Sequence, residues 1–360
     1  MAELLKNLYN EHYIERLCSE LLKVSPSFDA DTFTLKIFDE NWTPRELKER
    51  MRHISTTLAA FLPKEYLNAV EILKQCFLHM NKEFSLENII FQDFVEVYGL
   101  NDFQTSMYAL ECFTINSTSE YAIRKFILKY QTQTMKQLRL WAKSENEHLR
   151  RLACEGCRPR LPWGIALENF QKDPTEVLEI LEILKDDTSL YVKKSLANNL
   201  NDISKDNPEI VIEILKRWRK EEPKREWILK HGCRTLLKKG DKETLGIFGF
   251  SLPKHIELHN FIMQESVKMG ADLNFSFTLE TDGTLGLLRV EYAIEFLRKN
   301  TQSNKKVFHI AQGEYNAQKK NFSKSYSFKP ITTRKYYEGT HTISILVNGV
   351  SLAKKEFILN

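Results

Sequence analysis

Asp173-Pro-Thr-Glu-Val-Leu-Glu-Ile-Leu-Glu-Ile-Leu184 and Asn207-Pro-Glu-Ile-Val-Ile-Glu-Ile-Leu-Lys-Arg-Trp218 are two versions of one opening. In each, Asp or Asn is placed to cap a helix and proline follows at the first helical position, where a missing N–H costs nothing. A second helix of different character follows each opening. Leu149-Arg150-Arg151-Leu152, Val192-Lys193-Lys194-Ser195 and Ile228-Leu229-Lys230-His231 stand at matching places, and Tyr121-Ala-Ile-Arg124-Lys125-Phe126 reads as an earlier copy. The separation is roughly forty residues, the period of two-helix HEAT-type repeats. In such a stack the second helices line one concave face, so basic residues recurring there would form a stripe. One basic pair alone would be an ordinary solvated face; three in phase argue for the stripe.

Toward the N-terminus, Leu5, Leu8, Ile14, Leu17 and Leu21 fall on one helical face, as do Leu47, Met51, Ile54, Leu58 and Phe61, and Leu67, Val70, Leu73 and Phe77. All three stripes read as core. Near residue 250 the texture changes to alternation, in Asn274-Phe-Ser-Phe-Thr-Leu, Leu288-Arg-Val-Glu-Tyr-Ala-Ile-Glu-Phe, Lys306-Val-Phe-His-Ile and Ser325-Tyr-Ser-Phe. His341-Thr-Ile-Ser-Ile-Leu-Val meets Val350-Ser-Leu-Ala across Asn348-Gly349, a two-residue hairpin signal. About six or seven short strands suggest an immunoglobulin-type sandwich without its disulfide. The expected fold is multidomain, with an all-α HEAT-like solenoid over residues 1–254 followed by a small all-β immunoglobulin-like sandwich over 255–360.

The stretch Arg150-Arg151-Leu-Ala-Cys-Glu155-Gly-Cys-Arg158-Pro-Arg160-Leu-Pro-Trp163 carries the chemistry. It holds four arginines, one carboxylate and one tryptophan in fourteen residues. Arginine there can hold phosphate, and a carboxylate among phosphates needs a cation beside it. Glu120, at the start of the preceding second helix, would share the same groove. A nucleic acid bearing a damaged, positively charged base supplies such a cation. Cleaving its glycosidic bond leaves an oxocarbenium-like sugar, and the base departs neutral, so no general acid is needed. A carboxylate about 4 Å from the developing charge gains on the order of 4 kcal/mol at an effective dielectric near 20, about a thousandfold in rate. It can also orient the attacking water. The structural alternative is that Glu120 caps its helix or pairs with Arg124, while Glu155 pairs with Arg151 or Arg158. Trp163, projected just past Pro162, can meet a cationic base or a sugar edge through its indole face; the alternative is core.

With 42% apolar and 28% charged residues over 360, both domains can bury a core, and only 13 glycines argue against glycine-rich phosphate loops. The net charge of +4 is mild, but basic residues collect in the arginine stretch and the last hundred residues. Cys154-Glu-Gly-Cys157 has the spacing of half a zinc site, yet no second pair completes it. The nine histidines form no metalloprotease motif, and there is no P-loop, dinucleotide fingerprint or nucleophile elbow. No metal and no cofactor are expected. The start Met-Ala-Glu-Leu-Leu-Lys leads into an amphipathic pattern rather than a leader, and no apolar run approaches bilayer length. A cytoplasmic monomer, on the nucleoid when bound to DNA and not on a membrane, is expected.

Three stretches together, Ser117-Thr-Ser-Glu120-Tyr-Ala-Ile-Arg124, Leu152-Ala-Cys-Glu155-Gly-Cys-Arg158-Pro-Arg160-Leu-Pro-Trp163 and Tyr191-Val-Lys-Lys-Ser-Leu-Ala-Asn198-Asn-Leu-Asn-Asp202-Ile-Ser-Lys-Asp206, resemble the AlkC branch of the AlkC/AlkD DNA glycosylases over about residues 1 to 250. Lys125 stands where many relatives have proline. The β region resembles the immunoglobulin-like extension of one AlkC subgroup. The resemblance implies a HEAT-like solenoid wrapping double-stranded DNA and monofunctional hydrolytic release of cationic N-alkylated bases, chiefly 3-methyladenine and 3-methylcytosine, without a deep base pocket. It implies Glu120, Glu155 and Trp163 as catalytic-site residues. Arg151, Arg158, Arg160, Lys193, Lys194 and Lys230 are the expected phosphate contacts, with Lys305-Lys306, Lys319-Lys320 or Arg334-Lys335 adding contacts from the β domain. The competing readings are a non-catalytic DNA-damage sensor, which would tolerate loss of both glutamates, and a protein-binding HEAT scaffold, which has no need of the arginine stretch.

Overall fold

The computed structural model describes residues 4–80, 84–298, 303–331 and 334–360. The helices in chain order are α1 Glu11–Val24, α2 Ala30–Ile37, α3 Leu47–Ala59, α4 Tyr66–His79, α5 Ile89–Tyr98, α6 Phe103–Phe113, α7 Ala122–Lys129, α8 Gln131–Trp141, α9 Glu147–Gly156, α10 Glu168–Lys172, α11 Thr175–Leu184, α12 Leu190–Ile203, α13 Pro208–Glu221, α14 Glu226–Gly232, α15 Arg234–Lys239 and α16 Lys242–Ile247. The chain divides into two compact units, residues 1–207 with 224–232, and residues 208–223 with 233–360. The secondary structure changes from helix to strand between Ile247 and Glu257, but compactness assigns α13, α15 and α16 to the unit that holds the strands.

In the first unit the helices form two layers. One consists of the second helices of the repeats, where α3 packs on α5, α5 on α7, α9 on α12 and α12 on α14. Gly156 lets α9 join α7, since a Cβ there would lie 2.7 Å from the Ile123 Cγ2 atom. The other layer pairs α1 with α4, α4 with α6 and α8 with α11, and the Trp141 indole N–H donates to Glu111 at 2.8 Å to tie α8 to α6. Local signals place the helix starts. Asn10, Asp102 and Asn146 accept from the first-turn amides of α1, α6 and α9. Helix α13 begins on Pro208 as the repeat pattern predicts. In α11 the helix begins one residue later than predicted: Pro174 occupies the cap position, and Asp173 accepts from Thr175 N at 3.0 Å.

Most of the apolar stripes are core. Ile14, Leu17, Leu21, Ile54, Leu58, Val70 and Leu73 are buried. Leu5 and Leu67 are exposed instead, because Leu5 lies in a separate 3-10 turn, where the α-helical period does not apply, and Leu67 lies in the first turn of α4. No helix among the described residues is long and apolar enough to cross a membrane.

In the second unit the strands are β1 Glu257–Met263, β2 Ser266–Val267, β3 Asp272–Glu280, β4 Gly286–Leu297, β5 Ser303–Tyr315, β6 Lys319–Ser327, β7 Gly339–Val347 and β8 Val350–Leu359. They form two sheets, of order β1-β3-β6 and β2-β8-β7-β4-β5. The alternation misses β1, which is largely exposed and carries a register shift between His259 and Ile262, and β2, two residues pairing parallel with the end of β8 and too short to show a period. The β7–β8 turn is Asn348-Gly349 with φ of 47° and 80°, the left-handed pair a two-residue hairpin requires. Aromatic side chains, including Phe277, Tyr292, Phe296, Phe322 and Phe328, supply much of the core between the sheets, in place of a disulfide. The hairpin tip packs on the helical part of the same unit: Asn348 donates to Ser251 O at 2.8 Å, and a Cβ on Gly240 would lie 3.0 Å from Gly349 O.

Candidate active site

The carboxylates expected to share a groove do come together. Glu120 lies in the turn immediately before α7. That turn is pinned by two serines, with Ser119 Oγ donating to Leu110 O at 3.0 Å and Ser117 Oγ to Ser85 O at 2.8 Å. Glu155 lies in the last turn of α9, with Arg151 one turn before it and Arg158 just past the helix end. Arg151 binds Glu120 with both terminal nitrogens, at 2.8 and 3.2 Å, and approaches Glu155 at 3.7 Å. Arg158 binds Glu155 at 2.6 Å and Asp202 of α12 at 2.7 Å. Ser195 of α12 donates to the other Glu155 oxygen at 2.5 Å. The result is one row of alternating charge, Glu120, Arg151, Glu155, Arg158 and Asp202, across three neighbouring inner elements. Lys205 reaches Asp202 from outside at 2.8 Å.

The row carries three carboxylates with two guanidiniums between them, and Lys205 supplies the third cation from outside. Burial raises the Glu120 pKa above the usual carboxylate range, opposed by Arg151 and reinforced by Glu155. Burial works against the charge on Arg151 too, but Glu120 and Glu155 outweigh it and raise its pKa. Arg158 follows the same pattern, with Glu155 and Asp202 outweighing its burial. The Arg151 guanidinium also accepts support from Thr118 Oγ1, to which it donates at 2.7 Å, and lies 5.1 Å from the Tyr191 ring centroid. Openings flank the Glu120–Arg151 pair. A cavity of about 480 Å³ is lined by Tyr121 and Trp163 together with Tyr9, Lys48, Met51 and Leu86. A shallower one of about 380 Å³ is lined by Thr118 and Tyr191.

Glu155 pairs with Arg158 and Arg151, as the structural alternative had it, and Arg151 sits between the two glutamates. Glu120 pairs with Arg151 rather than Arg124, whose guanidinium is taken up by backbone carbonyls. Arg158 was expected on phosphate, but it is 6% exposed inside the carboxylate row, and Arg151 is largely enclosed there as well. Arg160 is exposed and pairs with Asp206 at 2.7 Å. Lys193 reaches Thr188 O at 3.3 Å, Lys194 is exposed and Lys230 is partly buried on α14. Trp163 is 63% exposed, not core. In the β region, Arg334 lies 4.8 Å from the Phe296 ring centroid and so faces the aromatic core. Cys154 and Cys157 are buried, and Asn199 donates to Cys154 O at 2.8 Å. Among the described residues no group of three or more His, Cys, Asp or Glu is arranged to hold a metal.

Asp202, Ser195 and Tyr191 escaped assignment from sequence, although a signal exists. Positions 191, 195, 198–199 and 202 follow helical spacing, so Tyr, Ser, Asn and Asp fall on one face of α12. Five polar residues on the face of an inner helix that packs on α9 mark a built network.

Stacked helix pairs enclosing a carboxylate row, followed by a β-sandwich, define a class. Residues 110–236 match the family described as DNA alkylation repair enzyme, and residues 257–360 match the C-terminal Ig-like domain of YhaZ. The chain is 44% identical over 354 residues to the "Uncharacterized protein YhaZ" of Bacillus subtilis (strain 168), covering 97% of each. It superposes with a TM-score of 0.94 and 34% identity on the Pseudomonas fluorescens alkylpurine DNA glycosylase AlkC bound to DNA containing an abasic site analog, covering 99% of this chain and 100% of that one. The chain belongs to the AlkC family of DNA alkylation repair proteins. The expected order of helical repeats followed by an immunoglobulin-like domain is the one observed.

Proposed function

We propose that this protein is a monofunctional DNA glycosylase that hydrolyses the N-glycosidic bond of cationic N-alkylated bases, 3-methyladenine and 3-methylcytosine, in duplex DNA. The observation that carries the reading is the convergence of Glu120 and Glu155 on Arg151 beside an exposed Trp163. A phosphate-binding surface alone has no use for buried carboxylates set between its arginines. A cationic base and the oxocarbenium-like sugar it leaves behind are both stabilised by nearby carboxylates. The resident arginines offset part of the attraction, and they also hold each carboxylate in one orientation, so little reorganisation accompanies the reaction. Glu120 and Glu155 face the developing positive charge and orient the water. Trp163 offers its indole face to the lesion or its sugar. Arg151 and Arg158 act on the carboxylates, which leaves Arg160, Lys193, Lys194 and Lys230 as the candidates for phosphate contact.

The test is release of 3-methyladenine from methylated duplex DNA by wild type and by Glu155→Gln. The variant is expected to lose at least about a hundredfold in rate, with DNA affinity within about threefold, since sequence-independent affinity comes from phosphate contacts. Full activity in the variant would remove Glu155 from the catalytic role, and absence of release by the wild type would return the protein to the reading of a damage sensor.

A further inference from the structure

Trp163 holds an unusual backbone. Its φ is 64°, a left-handed value that a bulky residue adopts only where its surroundings impose it. Two side chains from other elements do so. Arg124 of α7 is fully buried, and it donates Nε to Ile165 O at 2.6 Å and Nη1 to Gly156 O at 3.0 Å and Arg158 O at 2.8 Å. These carbonyls lie on both sides of Trp163 in sequence, so one guanidinium closes the loop. Burial lowers its pKa to about 10, and its hydrogen bonds run to backbone carbonyls rather than to a carboxylate. At Gly164 a Cβ would lie 3.0 Å from Leu161 Cδ2 and 3.3 Å from Arg124 Cδ, so the loop is drawn tightly onto this clamp. At the tip, Lys48 in the first turn of α3 donates to Trp163 O. The same ammonium sits 5.2 Å from the ring centroid of Tyr121, the neighbour of Glu120.

We propose that Lys48 and Arg124 are positioning residues for base release, acting through the backbone of Trp163 and fixing its indole relative to the turn that carries Glu120. This rests on the glycosylase reading given above. Neither side chain touches the reacting atoms. Arg124 shapes the loop, and Lys48 ties the loop tip to the Glu120 turn across the mouth of the larger cavity.

The experiment uses the full chain labelled with 5-fluorotryptophan. Its five tryptophans give separate fluorine resonances, and Trp163→Phe identifies the one of interest. Lys48→Met, Lys48→Arg and Arg124→Lys are compared with wild type for that resonance, for the single-turnover rate of 3-methyladenine release and for DNA affinity. In Lys48→Met the Trp163 resonance is expected to move while the others stay, and release to slow about tenfold, the scale of a small misplacement at a reacting centre, with affinity unchanged. Lys48→Arg, which keeps the donor, restores both. Arg124→Lys, which cannot reach three carbonyls, moves the Trp163 resonance further. The proposal is overturned if Lys48→Met leaves either the Trp163 resonance or the release rate at its wild-type value, or if all five resonances move together. A wild type that releases no base would defeat the glycosylase reading, while the resonances would still decide whether Lys48 sets Trp163.

Discussion

At the scale of single residues, Glu120 is buried, while the role proposed for it demands charge. Burial raises its carboxyl pKa above the ordinary value of 4.5. If ionised Glu120 stabilises the departing base, release falls as pH drops through that raised pKa. The acid limb of the rate profile should lie above 4.5 and vanish in Glu120→Gln, which single-turnover rates across pH will check. Stability runs the other way. A raised folded pKa contributes stability present below the unfolded value and lost as pH rises through the folded one. Relative to Glu120→Gln, the wild type should therefore lose stability as pH rises from acid toward neutral, a change that urea midpoints at each pH can follow. These glutamates could be picked out of the sequence because carboxylates in a basic stretch are conspicuous. That Arg151 and Arg158 belong to them rather than to phosphate could not, because a string of letters does not say which way a guanidinium turns at a helix end.

At the scale of elements, α9 and α12 are joined by Arg158, buried between Glu155 and Asp202. Arg158→Met leaves two enclosed carboxylates facing each other without the cation between them. Breaking a buried ion pair on one side costs about 3–5 kcal/mol, and chemical denaturation should register a loss of that order. A loss under about 1 kcal/mol would mean that the carboxylates find water or take up protons instead. The repeats themselves were readable because helix starts and apolar period are local properties. Helix α12 shows the limit. Its basic pair Lys193-Lys194 fitted the stripe by position, whereas the residues that join the site, Ser195 and Asp202, lie on a face that only packing against α9 defines.

At the scale of the whole chain, the helix-to-strand change and the compact units do not coincide. Helices α13, α15 and α16 belong with the strands, and Asn348 and Gly349 at the tip of the hairpin reach Ser251 and Gly240. A chain ended after Lys254 keeps those helices but removes what they pack on. It should show less helical signal per residue than the intact chain and lower resistance to limited proteolysis around residues 208–250; a fragment as protected as the parent would mean that the helices stand alone. Composition revealed where strands begin, but a contact between a helical loop and a hairpin some hundred residues later leaves no local trace in the sequence.

The alternating row from Glu120 to Asp202 also limits how this protein can be altered. Each inner member answers to two neighbours of opposite sign, so a lone change of charge is felt on both sides. An engineer seeking a different lesion preference would have to recast the row as a whole, since exchanging Arg158 with Asp202 alone would set like charges against Glu155 and Lys205. A screen built on single reversals of charge would therefore miss the combinations in which the alternation is kept.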